Sequence, residues 1–266
     1  MIGDIVAVRS GGDIASGTIQ KLHRSGFRVL VLEINNPTSI RRTVCFSEAV
    51  FNGEMVIENI KAVLVKNKEE IIDAWHKDYI PVIVDPKGLY IGIMKPIAVV
   101  DAILAKKNLG TYKNLAPITI AIGPGFEAGT DVDIVIESNR GHNLGKLIFE
   151  GMAEANTGNP GIIGGFTAER VLYSPVEGII KLHHEIGDTV KKGEIIATVN
   201  EQNIYSKIDG LIRGLIRNNT HVEKGFKVGD IDPRIDQIKN CYTISDKGRS
   251  IGGGVLEAVM IGKRKR

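Results

Sequence analysis

The sequence predicts an α/β chain: a parallel layered sheet first, a small all-β module second, a helix last. Three observations carry this reading. Short apolar runs alternate with amphipathic segments through the first half, the pattern of strands joined by helices. A glycine turn links the first run to the first amphipathic segment. A gap-free internal repeat of short apolar stretches begins at Ser174, and such a unit cannot bury its apolar side alone.

The stretch Val6 to Glu33 organises the sheet. An apolar run meets the turn Ser10-Gly11-Gly12, an amphipathic segment with Ile14, Ile19 and Leu22 follows, and Gly26 closes it before a second apolar run ending in Glu33. Strand, tight turn, helix, strand is the first unit of a Rossmann-like nucleotide-binding sheet. Gly11 and Gly12 would let the backbone approach a pyrophosphate, and a helix starting near Asp13 would aim the N–H groups of Asp13, Ile14 and Ala15 at it. Glu33 lies about 20 residues on, where an acid takes a ribose hydroxyl. Ser10 and Ala15 stand where the fingerprint usually has glycine.

After Glu33, Asn35-Asn36-Pro37 signals a loop. Arg41 and Arg42 follow, where guanidinium groups are placed to hold a phosphate. Phe46 to Phe51 reads as a short helix and Met55 to Val65 as a strand or hairpin. Lys68 to Lys77 reads as a helix with Ile71, Ile72 and Trp75 inward. Ile80 to Asp85 is a strand ending in an acid, with Pro81 tolerated near its start. Ala98 to Lys107 has a helical period. Ile118 to Ile122 and Val132 to Glu137 are strands. Ligands of such sheets sit beyond the carboxyl ends of strands. The Ser10 to Gly12 turn, Asp85 and the Gly123 to Gly129 loop, with Gly123 and Gly125, have that placement. The loop Arg140-Gly141-His142-Asn143 joins them as ligand-facing, and Asn156 to Gly161 is a further glycine- and amide-rich loop.

Shifting the chain by 32 residues superposes Ser174-Pro175-Val176-Glu177-Gly178 on Ser206-Lys207-Ile208-Asp209-Gly210, and Val190-Lys191-Lys192-Gly193 on Val222-Glu223-Lys224-Gly225. Two such units related by a pseudo-twofold axis can bury their apolar sides together. With Ile186-Gly187-Asp188-Thr189-Val190, these marks resemble the two halves of a biotinyl/lipoyl domain, a small barrel-sandwich of short strands. In that family a lysine between the halves carries the cofactor. The corresponding link here, Thr198 to Tyr205, has no lysine, so neither biotin nor lipoate is expected. Ile251 to Met260 reads as a glycine turn opening a helix, a second anion-binding N-terminus. The expected division is residues 1–168 as the Rossmann-like domain, 169–232 as the barrel-sandwich module and 233–266 as an extension packing back on the first domain, with a basic tail.

Composition narrows the function. Hydrophobic residues make up 43% of 266, enough for a sizeable core. Aromatics are only 5%, against a base-stacking single-strand binder. Net charge is +3 and the tail Lys263-Arg264-Lys265-Arg266 carries four positive charges, so the body offers no broad nucleic-acid surface. Two cysteines, Cys45 and Cys241, make neither a disulfide framework nor a zinc site. His183 and His184 are adjacent on an expected strand and point to opposite sides, so they do not chelate one ion. With no signal-peptide pattern and no run of membrane-spanning length, a cytoplasmic protein is expected.

Several runs together resemble one family, the YqeB-type accessory proteins of selenium-dependent molybdenum hydroxylases. They are Gly11 to Gly17, Arg41-Arg42-Thr43-Val44, Ser47-Glu48-Ala49-Val50, Asp101 to Asn108, Gly123-Pro124-Gly125-Phe126, Arg140 to Gly145 and Thr167 to Val171. The resemblance implies a role in maturing a molybdenum hydroxylase, with the apoenzyme or other maturation proteins as partners, and supplies no catalytic residues. The expected cofactor is a dinucleotide, either NAD(P) or the nucleotide-linked form of the molybdenum cofactor. Neither membrane nor nucleic acid is an expected partner, and a homo-oligomer is compatible with the sequence. The alternative is an enzyme of cofactor maturation, working by sulfur or selenium transfer or an NAD(P)-dependent redox step. Cys45 would then carry a sulfur or selenium atom, its thiolate favoured by Arg41 and Arg42, or His142 would act as general acid–base. A third reading is an interaction scaffold docking through the repeat module.

Overall fold

The computed structural model describes residues 3–156, 158 and 161–264. Thr157, Asn159 and Pro160 of the glycine- and amide-rich loop, and Lys265 and Arg266 of the basic tail, lie outside them. The chain forms two compact units: Met1–Pro37, Cys45–Asn156 and Ile244–Arg266 make the first, Thr38–Val44 and Thr157–Thr243 the second.

The first unit is built on β1 (Ile5–Arg9), α1 (Asp13–Arg24) and β2 (Arg28–Glu33). After a short helix α2 (Ala49–Asn52) comes the hairpin β3 (Glu54–Ile57) and β4 (Ile60–Val65), then α3 (Lys68–His76), β5 (Ile80–Val84), α4 (Leu89–Met94) and β6 (Ala98–Asp101). Next are β7 (Thr119–Ile122), β8 (Glu127–Ala128), β9 (Ile134–Ile136), β10 (Leu147–Ile148) and β11 (Gly151–Met152). Nine strands form one sheet in the order β10-β9-β7-β6-β1-β2-β5-β4-β3. Its inner strands pair in parallel, whereas β3 and β10 pair antiparallel at the two edges. β8 and β11 form a separate antiparallel pair.

Alternation along each strand sorts the core into two sides. Val6, Val8, Val29, Val31, Val100, Ile120 and Ile136 meet α1 and the final helix α5 (Asp246–Arg264). Ala7, Leu30, Leu32, Ile83 and Val99 meet Ile71 and Ala74 of α3 and Ile91 and Met94 of α4. α1 and α5 run side by side in the same direction, because glycines let their backbones touch. A Cβ at Gly252 would stand 2.6 Å from the Gly17 carbonyl oxygen, and one at Gly17 would strike the Gly248 backbone. The run Gly252-Gly253-Gly254 therefore lies inside α5, which starts at Asp246 rather than at a glycine turn.

The second unit carries β12 (Val171–Tyr173), β13 (Gly178–Leu182), β14 (Thr189–Val190), β15 (Ile195–Val199), β16 (Gln202–Tyr205), β17 (Gly210–Leu215), β18 (His221–Val222) and β19 (Lys227–Asp232). They form two four-stranded antiparallel sheets, β12-β19-β17-β14 and β16-β15-β13-β18. The 32-residue repeat is visible in its hydrogen bonds. Ser174 Oγ donates to Val176 O and Ser206 Oγ to Ile208 O, both at 2.6 Å. The halves exchange partners: Gly225 N donates to Ser174 O and Gly193 N to Ser206 O, while Gly178 pairs with Val222 and Gly210 with Val190. The arm Thr38–Val44 docks beside β17, where Leu215 N donates to Ile40 O and Arg42 Nε to Leu215 O.

The fold class read from sequence, a Rossmann-like parallel sheet followed by a biotinyl/lipoyl-like barrel-sandwich, is corrected. The large sheet is mixed, and its crossovers from β6 to β7 and from β7 to β9 contain no helix. Residues 98–107 are β6 and an irregular segment, not a helix. Val99-Val100 is a β-branched pair that the sheet core claims. The second unit takes in residues 38–44 along with the repeat.

Candidate functional site

The carboxyl ends of the parallel strands bring Ser10, Gly11, Gly12, Glu33, Asp85, Asp101, Gly123 and Glu137 to one edge of the first unit. Four of these are acids, each at most 7% exposed, and each is held by backbone N–H groups of its own or a neighbouring loop. Gly11 N and Ile34 N donate to Glu33. Leu89 N and Tyr90 N donate to Asp85, which so caps α4. Ile103 N donates to Asp101, and Asn139 N and Glu154 N donate to Glu137. Strand-end acids here organise the loops that follow them.

The opening turn is filled by the chain itself. Ser47 N donates to Gly11 O at 2.9 Å, and Phe46 N to Ser16 Oγ at 3.1 Å. A Cβ at Gly11 would stand 2.6 Å from Ser47 N, so this glycine serves close approach of the 46–48 segment. Gly12 N donates to Ser10 Oγ, and Ser10 holds φ at 85°, the region that explains glycine's usual place there. Burial pushes the Glu33 carboxyl above the ordinary carboxylate range, against hydrogen bonds from Gly11, Ile34 and Ser10. Each Glu33 oxygen accepts a main-chain N–H, from Gly11 and from Ile34, and the side of Gly11 that a Cβ would occupy is taken by the 46–48 segment.

The other expected residues separate. Gly123 and Gly125 pack against Ser138 and against the backbone of Lys106 and Lys107. Arg41 donates to Asn240 O and Thr243 O, and Arg42 to Leu215 O and Glu185, all within the second unit. Cys45 is sealed in the core of the first unit. His142 and Asn143 are exposed on the hairpin loop between β9 and β10. Arg140 of that loop makes a bidentate pair with Asp246, at 2.7 and 3.0 Å.

What the sequence reading missed is Lys247. Asp13 O lies 3.8 Å from a Cβ built at Gly248, so the start of α5 stands beside the start of α1. Lys247 is half-buried there. Burial lowers its ammonium below the ordinary lysine value, Arg140 lowers it further, and Asp13, Glu137 and Asp246 act in the opposite sense. Arg140 holds Asp246 and backbone N–H groups hold Glu137. Gly12, the N-cap of α1, makes no side-chain cap hydrogen bond, and the positive end of the α1 dipole lies at the same end. The signal available in the sequence was the pair Gly248 and Gly252 at helical spacing, directly after Asp246-Lys247. Such a pair marks a helix that another backbone approaches closely, and it places Lys247 in the first turn of that helix. Among the described residues no group of His, Cys, Asp and Glu is arranged to hold a metal ion, and no helix is long and apolar enough to cross a membrane.

No family model matches the chain. Over 257 residues it is 48% identical to the uncharacterized protein YqeB of Escherichia coli (strain K12). The match takes in 97% of this chain and 47% of the relative, so the chain spans about half the length of the curated relative it matches. The two are homologues. Solved structures similar to it include an aspartoacylase family protein from Mesorhizobium loti, 11% identical, with 86% of this chain and 84% of that one covered and a TM-score of 0.25. A succinylglutamate desuccinylase/aspartoacylase from Rhodobacter sphaeroides is 14% identical, with 86% and 85% covered and a TM-score of 0.26.

Proposed function

We propose that this protein is an accessory factor in the maturation of a selenium-dependent molybdenum hydroxylase, and that it binds a phosphorylated ligand at the carboxyl edge of the nine-stranded sheet. The ligand class is a nucleotide or the nucleotide-linked form of the molybdenum cofactor. Lys247 carries this reading. It is a half-buried cation beside the parallel N-termini of α1 and α5, where partial positive charge accumulates. Its neighbours Arg140 and Glu137 are already engaged, so Lys247 is the cation that meets a phosphate. The maturation role rests on the resemblance of the sequence runs given above.

Calorimetric titration with inorganic phosphate and a panel of mono- and dinucleotides tests the binding. Saturable binding of at least one nucleotide is expected, weakened tenfold or more by Lys247→Gln and largely kept by Lys247→Arg. No saturable binding across the panel, or binding indifferent to Lys247→Gln, refutes the reading.

A further inference from the structure

Arg140 and Asp246 stand at the outer side of Lys247. Arg140 lies on the loop between β9 and β10, and that loop is pinned to α5. Ser250 Oγ donates to Leu144 O at 3.1 Å, a Cβ at Gly145 would stand 2.8 Å from Ser250 Oγ, and Gly145 N donates to Glu137 O across the base of the loop. Arg140 therefore starts from a fixed place beside the first turn of α5. Its Nη1 donates to Asp246 Oδ2 at 2.7 Å and its Nη2 to Asp246 Oδ1 at 3.0 Å. A guanidinium offers the same two-pronged fork to a phosphate as to a carboxylate. The pair is open to water, with side chains 45% and 71% exposed, and an ion pair so placed is weakly held. Asp246 also belongs to the first turn of α5, where the helix dipole favours an anion. Its carboxylate thus has the setting of a bound phosphate: a guanidinium fork, a helix N-terminus, and the half-buried Lys247 next in the chain.

We propose that Asp246 is the stand-in for the ligand: an incoming phosphate takes its place on Arg140, and Arg140 and Lys247 then hold that phosphate together. This inference rests on the reading that Lys247 meets a phosphate, and it adds the second cation and the group that competes for it. Without the exchange, Asp246 would keep Arg140 neutralised, and the phosphate would meet Lys247 among the carboxylates of Asp13, Glu137 and Asp246, all of which act on its ammonium. With the exchange, two cations face the phosphate and the displaced Asp246 side chain turns to water.

A double-mutant cycle on the full chain tests this. Calorimetric titration uses inorganic pyrophosphate and the mono- and dinucleotide panel, and follows whichever of them the parent binds most tightly. Asp246→Asn removes the competing carboxylate and is expected to tighten binding by about threefold or more. Arg140→Gln is expected to weaken it by about fivefold or more. In the Arg140→Gln background the gain from Asp246→Asn is expected to fall below about 1.5-fold, because the two residues act through one contact. Urea midpoints check that each variant is folded, and Arg140→Lys, which keeps the charge and loses the fork, replaces Arg140→Gln in the cycle if that variant does not fold. Binding that is lost in Lys247→Gln but indifferent to Arg140→Gln, or an Asp246→Asn gain of equal size in both backgrounds, overturns the exchange and leaves the Lys247 reading in place. No saturable binding by the parent overturns both.

Discussion

Two halves of one sheet solve the same burial problem differently. Over β2, β5 and β4 the crossovers are helices, and Ile71, Ala74, Ile91 and Met94 bring an apolar layer onto Leu30, Leu32 and Ile83. Over β7 and β9 the crossovers are irregular, and a two-residue ladder with its loops makes the cover. A helix satisfies its own backbone, so it needs only an apolar stripe to dock. An irregular crossover must find partners for each polar group, and here side chains supply them. The buried Arg9 guanidinium donates to Leu109 O and to Thr111 Oγ1 and stands 3.5 Å from Asp101, while Thr111 Oγ1 donates to Asp101 at 2.6 Å. One half is held by apolar area, the other by a buried polar anchor.

The largest expected effect comes from removing that anchor. Arg9→Ala leaves Asp101 buried without its cation and should cost about 4 kcal/mol in urea denaturation. A loss below about 1 kcal/mol would mean that the crossover from β6 is held by something else. Ile71→Ala tests the helical half, where a fully buried side chain gives way to a cavity, and should cost about 3 kcal/mol. Third is Glu58, in the turn between β3 and β4, which accepts from Gln20, Ile244 N and Arg249. Burial alone would raise its carboxyl, but these hydrogen bonds bring it below the ordinary range. A depressed carboxyl stabilises the fold above its unfolded-state value, and that contribution is lost as pH falls through the folded value. Glu58→Gln should therefore cost about 2 kcal/mol at neutral pH, with the gap between variant and parent closing in acid. The smallest effect belongs to the thin cover: Phe149→Ser should change stability by no more than about 0.5 kcal/mol, since this ring is largely in water.

The sequence was readable where one period dominated. Val6 to Glu33 folds as the strand, turn, helix and strand its glycines and apolar runs describe, and the 32-residue shift anticipated the exchanged hydrogen bonds of Ser174 and Ser206. Residues 98–107 misled because Val99, Ala102 and Ile103 fall at helical spacing, yet Val99 and Val100 carry branched side chains that belong in β6. The glycines of Gly252 to Gly254 suggested a turn, yet they are small so that α5 can touch α1. The same ambiguity governed the site. Gly11 signals close backbone approach, but sequence does not say whether a phosphate or Ser47 approaches. Lys247 was invisible because its setting is made by Asp13, Glu137 and Arg140, which only the folded sheet brings near it.

Protection of Lys247 from an amine-acylating reagent is the most direct measurement of the proposed site, read peptide by peptide with and without saturating nucleotide. At least fivefold slower modification of Lys247 with nucleotide bound, with Lys113 unaffected, is the predicted result. An unchanged Lys247 rate under a nucleotide that demonstrably binds would place the ligand elsewhere and contradict the assignment.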